Sequence, residues 1–435
     1  MSHVIVGGGV AGLATAFYLT KQSGVKRITV LESSKRLGGW IDTTRNKDGI
    51  LYEHGPRTIR PVGPQGANTL AMVQELGLSD KVRSVKLGEP STINRMVYVN
   101  GELYKLPSTL ISLFKSVVLR FGEDIAQYAV DPLVRGICAG NSREISVHFI
   151  AKYLHELEQS SGSVLKGYLK DYFKNKLFPI PKTKEEECDL VKLARSEHWS
   201  VWGLENGLTT LTEALKDKLL KLGVEIFTDY KVQDLYFRKE VCMVNGSIPC
   251  DKLTLAQPSF AAAQLLKDSS LPLELHESLA TIPYVDVAVV NLEFKGNILK
   301  NPGFGFLVPS NQPEPILGCI FDTCTFKQGD RTIFTVMMGG AWFNSLFKDK
   351  TQAEIECTAL ETVQRILKFQ DKPTRSKTKI LRNCIAQYTV GHLARVKTAR
   401  DIINQGRLPL SIVGSSYDGV GINDTILSAR RSVGI

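Results

Sequence analysis

His3-Val4-Ile5-Val6-Gly7-Gly8-Gly9-Val10-Ala11-Gly12 reads as a β-strand that runs straight into a glycine loop and out into a helix. Gly7 permits the tight turn, Gly9 lets backbone N–H groups approach a pyrophosphate, and Gly12 brings helix and strand together. A second strand is predicted over Arg27–Leu31. Glu32 follows it, twenty residues after Gly12, where a carboxylate accepts from a ribose hydroxyl and disfavours a 2′-phosphate. Such a loop alone fits any glycine-rich turn; strand, spacing, helix and acid together specify an ADP moiety. Leu37-Gly38-Gly39-Trp40 then separates two cofactors. A plain nicotinamide enzyme has no use for a second glycine doublet so soon after the acid. An extended FAD runs its pyrophosphate and ribityl chain past further backbone, and Gly-Gly offers approach without a side chain. FAD is the expected cofactor.

At 435 residues, 43% hydrophobic and 23% charged, the chain is of the soluble globular type with room for two or three lobes. A net charge of +10 points to an anionic partner: nucleic acid, an acidic membrane face or a carboxylate-bearing substrate. Nucleic acid is the weakest of these, because the basic residues are scattered and no nucleic-acid-binding signature accompanies them; no such partner is expected. The eight cysteines, Cys138, Cys188, Cys242, Cys250, Cys319, Cys324, Cys357 and Cys384, show no C-x-x-C spacing and read as free or buried thiols. Seven histidines form no metal-ligand or triad pattern, so no metal is expected, and His54 and His392 read as packing residues. The dinucleotide motif begins almost at Met1, so no secretory signal or cleavable presequence is expected. No uninterrupted apolar run reaches the ~18 residues of a spanning helix.

Further along, Arg95-Met96-Val97-Tyr98-Val99 and Leu103-Tyr104-Lys105-Leu106 flank Asn100-Gly101-Glu102 as a hairpin, and the helical signal dominates from Pro107 to Lys176. Within that region Leu110 to Phe121 is apolar around most of its circumference, with Lys115 and Arg120 embedded. It reads equally as an interfacial helix with snorkelling cations or as a core-facing helix. A helix is predicted from Gly207 to Leu222, and strand material at Gly223 to Phe227 and at Lys231-Val232. Strands at Val285 to Leu292, Gly305 to Val308 and Thr332 to Met338 suggest an antiparallel second lobe. The strand Leu408 to Gly414 then leads to a last helix starting near Asn423, so the nucleotide-binding unit is discontinuous.

Three segments resemble one family. Glu53-His54-Gly55-Pro56-Arg57-Thr58-Ile59-Arg60-Pro61 is similar to the G-P-R-x-I-R-P segment of the protoporphyrinogen oxidases, flavoenzymes of haem synthesis. Gly136-Ile137-Cys138-Ala139-Gly140-Asn141-Ser142-Arg143-Glu144 is similar to their G-x-x-A-G-N-S-R-E stretch, and Tyr417-Asp418-Gly419-Val420-Gly421-Ile422-Asn423-Asp424 to their closing cofactor motif. The resemblance runs from Val4 to the C-terminus. The glycine loop alone is shared with amine oxidases and carotenoid desaturases.

The resemblance implies an α/β fold: a Rossmann-like FAD-binding domain, discontinuous and with a mixed sheet (1–80, 181–260, 384–435), an α+β substrate domain (81–105, 261–383) and a small helical membrane-associated lobe (106–180). It implies FAD contacts at Gly7, Gly8, Gly9, Val10, Ala11, Gly12, Glu32, Ser33, Trp40, Gly55, Pro56, Arg57, Thr58, Val232, Val420, Gly421 and Ile422. Asn423 or Asp424 is expected to cap the last helix, whose positive end then faces the flavin. The implied reaction is the six-electron oxidation of protoporphyrinogen IX by molecular oxygen, in three hydride transfers to flavin N5 with peroxide released. Arg95 is the implied partner of a substrate propionate, a role that suits a bidentate guanidinium. Arg57 is shared between cofactor and substrate, and Phe304, Gly305, Leu307 and Met337 wall the macrocycle. The family pattern also implies a peripheral place on the mitochondrial inner membrane, a homodimer and a contact with ferrochelatase. Against that pattern the chain is shortened between Val118 and Leu119, inside the helical lobe. Two alternatives therefore stand beside the active oxidase: an FAD-binding isoform without turnover that binds a partner, and another flavin amine oxidase or desaturase.

Overall fold

In the computed structural model, which describes residues 1–106, 126–177, 183–238 and 241–435, the opening strand Ser2–Val6 lies in the middle of a five-stranded sheet. Arg27–Leu31 and Lys252–Leu255 flank it; Glu225–Phe227 and Leu410–Ile412 form the edges. All pairings are parallel, with Val4 opposite Thr29 on one side and Leu253 on the other. Parallel sheets are covered on both faces, which is why Val4, Ile5 and Val6 are buried in succession instead of alternating. His3 shares a hydrogen bond of 2.8 Å with Thr254, and Thr254 one of 2.7 Å with Ser411, joining three strands distant in sequence. A separate antiparallel sheet of Leu235–Arg238, Val241–Val244 and Ile248–Cys250 stands beside the parallel one.

Helix Val10–Leu19 is rich in alanine and leucine, and every residue from Ala11 to Leu19 is buried. It is enclosed by the sheet, by helix Thr209–Lys221 and by the last helix, Ile422–Ser432. Its approach to the sheet is set by Gly12, where a Cβ would stand 1.9 Å from the carbonyl oxygen of Gly7.

The second unit is a seven-stranded sheet, ordered Arg375–Ala386, Tyr284–Lys295, Arg331–Gly340, Ile316–Phe321, Gly305–Leu307, Arg95–Val99 and Glu102–Lys105. The first five are antiparallel neighbours, whereas Gly305–Leu307 and Arg95–Val99 run parallel. Side chains alternate along the long strands. Val290, Leu292, Phe294, Phe334 and Val336 enter a core shared with helix Gln352–Leu367, while Val287, Val289, Met337 and Leu381 face the other way. The predicted hairpin is present, and Asn100 and Gly101 both take positive φ, +50° and +87°, as a two-residue turn of this hand requires. A π-helix, Ala126–Val130, and four α-helices, Asp131–Cys138, Val147–Ile150, Lys152–Ser161 and Val164–Leu177, make up the helical lobe among the described residues. None of the described helices is long and apolar enough to cross a membrane.

Two sequence expectations need comment. Lys231-Val232 is not strand: Asp229 sits at φ +57° and turns the chain out of the sheet after Glu225–Phe227. Leu110 to Phe121, with the shortening at Val118 and Leu119, lies outside the described residues.

Gly12→Ala should cost about 1–3 kcal/mol in chemical denaturation, since backbone must move to admit the methyl group. Burial, reinforced by Lys252, pushes the His3 imidazole down from 6.5 to about 4. Between those values the unfolded chain binds a proton that the native one refuses, so this contribution to stability is lost as pH falls through that window. His3→Gln should remove that part of the acid slope, read as the difference in thermal midpoint between variant and parent across the same range.

Candidate active site

The carboxyl ends of the parallel strands converge on a cavity of about 980 Å³. Gly7 follows the first strand, Glu32 the second, Ala256 and Gln257 the third and Gly414 the last, the edge at which open parallel sheets bind ligands. Gly7 holds φ +112°, and a Cβ there would meet the Ala256 carbonyl oxygen at 2.7 Å. Gly9 caps helix Val10–Leu19 without a side chain, so the first-turn N–H groups have no side-chain acceptor; Val10 and Ala11 line the cavity. That arrangement suits a phosphate.

The two glycine turns are built onto one another. Gly38 donates its N–H to the Gly8 oxygen at 2.9 Å, and a Cβ on Gly9 would reach the Gly39 Cα at 3.7 Å. Glu32 is held at the junction: one carboxylate oxygen accepts from Gly8 N–H at 2.6 Å, the other from Ser34 N–H at 2.8 Å. A carboxylate has about four acceptor positions, so both oxygens retain capacity for a ribose hydroxyl. Gln257, in the wall beside them, has a buried Nε2 without a protein partner. Uncapped N–H groups, side-chain-free glycine turns, an acid at the second strand end and an orphaned amide donor together fit FAD.

The last helix contributes a second N-terminus through Val420, Ile422 and Thr425. Its cap differs from expectation. Gly421, extended at φ −77° and ψ 156°, is the capping residue and supplies no side-chain bond. Asp424 instead reaches back from the third helical position to the Gly421 N–H, and burial raises its pKa above the ordinary value. Asn423 donates to the Arg60 carbonyl oxygen at 2.8 Å. Both predicted cappers are thus engaged just inside the helix, one half of a capping box without the other.

Arg57 is the buried cation of the far wall. Its Nη1 donates to Asp322 Oδ1 at 3.1 Å, and only 9% of its side chain is exposed. Asp322 also accepts from the Thr335 hydroxyl, which in turn accepts from Asn291 Nδ2 at 2.7 Å. Burial raises the Asp322 carboxyl while Arg57 opposes it. Nearby, burial pushes Glu53 up to about 7 against donations from Leu208 N–H and the Thr43 hydroxyl, both at 2.8 Å. His54, whose Nε2 shares a 2.7 Å hydrogen bond with the Thr44 hydroxyl, is driven down to about 4 by burial and by Lys379, and is neutral at physiological pH.

Fourteen of the sequence-derived positions line the cavity: Gly7, Gly9, Val10, Ala11, Glu32, Ser33, Trp40, Gly55, Pro56, Arg57, Val232, Val420, Ile422 and Met337. Gly8, Thr58 and Gly421 lie beside these residues in the chain, and Gly12 in helix Val10–Leu19, without lining it. Arg95, Phe304, Gly305 and Leu307 form an adjoining layer in the second sheet. Arg95 stands opposite Gly305 in parallel register, its guanidinium 5.6 Å over the Phe304 ring and its buried Nε without a partner. Leu307 packs on Gly136, which does line the cavity. Sequence reasoning missed Gln257, Phe260 and Gln264, whose signal is their position just after a parallel strand. It also missed the apolar end formed by Val287, Val289 and Leu381, which periodicity shows only as strand core.

The pattern of the flavin-containing amine oxidoreductases matches residues 10–116 and 105–434. Human protoporphyrinogen oxidase is 34% identical over 471 aligned positions, covering 99% of this chain and 97% of the relative. The chain belongs to the protoporphyrinogen oxidase family. The Schizosaccharomyces pombe protoporphyrinogen oxidase is 28% identical across 99% of the chain and 98% of its own length. A crystal structure from Exiguobacterium, provisionally named protoporphyrinogen oxidase, shares the fold with TM-score 0.78 at 22% identity, covering 99% of this chain and 97% of that one. The cofactor of this family member is FAD, in accord with the glycine turns, Glu32 and Gln257.

Asp322→Asn leaves the Arg57 guanidinium buried without its counter-charge. It should lower stability by about 3 kcal/mol, checked by urea denaturation, and Asp322→Asn with Arg57→Met should recover part of the loss.

Proposed function

We propose that the chain catalyses the oxygen-dependent, six-electron oxidation of protoporphyrinogen IX to protoporphyrin IX with release of hydrogen peroxide, the penultimate step of haem synthesis. The observation that carries this reading is the full-length match to the human enzyme combined with a cavity that is polar at its nucleotide end and apolar at the other. Bound FAD supplies two-electron oxidation and hands electrons to oxygen. The protein's own part is orientation. The apolar end, Val287, Val289, Met337 and Leu381, presents an apolar wall against which a ring system can be oriented. Its charged and titratable neighbours are spent on structure: Arg57 is neutralised by Asp322, and His54 is neutral and bonded to Thr44. No residue of this wall stands ready as a general base, which suits a substrate whose own NH groups release the protons. Arg95, half-buried in the adjoining layer with an Nε that has no hydrogen-bond partner among the described residues, is assigned to a substrate propionate, with Phe304, Gly305 and Leu307 shaping the approach.

We place the protein on the mitochondrial inner membrane as a peripheral protein. The net charge of +10 and the exposed Leu154, Leu165, Tyr168, Leu169 and Phe173 on helices Lys152–Ser161 and Val164–Leu177 support an interfacial position. The homodimer and the ferrochelatase contact rest on family resemblance alone. A second reading, an FAD-binding chain without turnover, draws on one fact: the 471 aligned positions exceed the chain's 435 residues, so the human enzyme has residues that this chain lacks.

The purified flavin-loaded protein should convert protoporphyrinogen IX in air to fluorescent porphyrin, with peroxide in the ratio that the six-electron balance demands. Arg95→Ala should raise KM about tenfold, the worth of a charge-assisted hydrogen bond. Yellow protein that makes neither porphyrin nor peroxide supports the second reading, and an unchanged KM in Arg95→Ala removes the propionate role.

A further inference from the structure

Residues 414–421, the turn that delivers the last helix to the cavity, are secured by side chains from elsewhere. We propose that Tyr388 is a positioning residue for FAD, a latch through which docking of the helical lobe sets the shape of this turn. The inference rests on the reading that the turn meets the flavin.

Tyr388 is 4% exposed, and its hydroxyl does two things: it accepts from the Gly419 N–H at 2.7 Å and donates to the Ser415 carbonyl oxygen at 3.0 Å. Gly419 holds φ +141°, and a Cβ there would lie 2.5 Å from the Asp424 Cβ, so the turn has no room for a side chain of its own at that point. The other faces of Tyr388 belong to the helical lobe and its dock. Its ring centroid is 4.5 Å from that of Phe149, on helix Val147–Ile150, and the opposite stacking partner is His392 at 3.8 Å and 16°. Its carbonyl oxygen accepts from Ser146 N–H at 2.8 Å. The residues beside it repeat the connection: Gln387 Nε2 donates to the Cys138 oxygen at 2.9 Å, Val390 N–H to the Glu144 oxygen at 3.2 Å, and Ile145 bridges Thr389. One buried side chain therefore touches the lobe with its ring and the cavity turn with its hydroxyl. Gly136 and Ile137 of the same lobe also line the cavity, so lobe and turn bound a single space. Tyr284 offers a contrast. It too holds the turn, sharing a 2.7 Å hydrogen bond with the Ser416 hydroxyl, but its hydroxyl also bonds to Ser259 and its ring meets Phe260, both in the nucleotide-binding unit.

The test is hydrogen–deuterium exchange on the flavin-loaded full-length protein together with the FAD dissociation constant from flavin release on dilution. Tyr388→Phe keeps both ring contacts and loses both hydroxyl bonds. It should raise exchange across 414–421 and weaken FAD about tenfold, with exchange at 141–150 unchanged. Phe149→Leu should loosen both stretches, whereas Tyr284→Phe should loosen the turn alone. The latch is wrong if Tyr388→Phe leaves exchange of the turn at the parent level, or if Phe149→Leu loosens the lobe without reaching the turn. A looser turn with unaltered FAD affinity in Tyr388→Phe would show that the turn does not serve the flavin, and would end the cofactor role of Tyr388 with it.

Discussion

Between Gly12 and the carbonyl oxygen of Gly7 there is space for a hydrogen atom and nothing larger, and the geometry of the whole nucleotide-binding unit follows from that contact. It lays helix Val10–Leu19 against the end of the central strand, with its uncapped first turn at the cavity mouth. The last helix packs on the same helix, so its own N-terminus, where Gly421 supplies no side-chain cap, arrives at the same space. Two positive helix ends, from opposite termini of the chain, thus address one ligand. The second glycine turn is bonded to the first, and Glu32 is clamped by the backbone of Gly8 and Ser34.

The second unit is attached to this one through charged and polar contacts. The Tyr52 hydroxyl bonds to the buried Glu293 carboxylate, which also takes Arg331 at 2.5 Å; Lys379 bonds to Asp42, and Arg375 to Asp48 at 2.5 Å. With Arg57 and Asp322 these contacts pair charges along the seam, beside the apolar face of the large sheet that closes the cavity. The buried pair of Arg57 and Asp322 is costly to break singly and confers a definite arrangement on the two units. That arrangement is what an enzyme relying on orientation needs.

Much of this was legible from local pattern. The βαβ opening, the hairpin at Asn100-Gly101 and the long strands of the second sheet follow from period, propensity and turn chemistry, each decided within about ten residues. Two local errors have local causes. Lys231-Val232 has strand composition, but the left-handed Asp229 diverts it; Asn423 and Asp424 are good cap types, but the helix starts at Ile422, one residue before Asn423, with Gly421 as its cap. Arg57 was recognisable as important, and its neutralisation was not, because Asp322 lies 265 residues away. The same holds for Gln257 and Tyr388, ordinary residues whose meaning comes from what stands beside them.

The sequence by itself determined the cofactor class, through glycines whose positions admit no side chain and an acid at a set distance, and it determined the family through three contiguous segments. Tertiary structure alone decided that strand ends from three separate stretches share one edge, that Arg57 is paired with Asp322, and that a tyrosine beyond the second sheet holds the turn of the last helix. The reason is physical: backbone conformation and cofactor approach are governed by short-range sterics, which a linear pattern records. Burial and charge pairing depend on which distant segments meet, and that is settled only when the sheets close on each other.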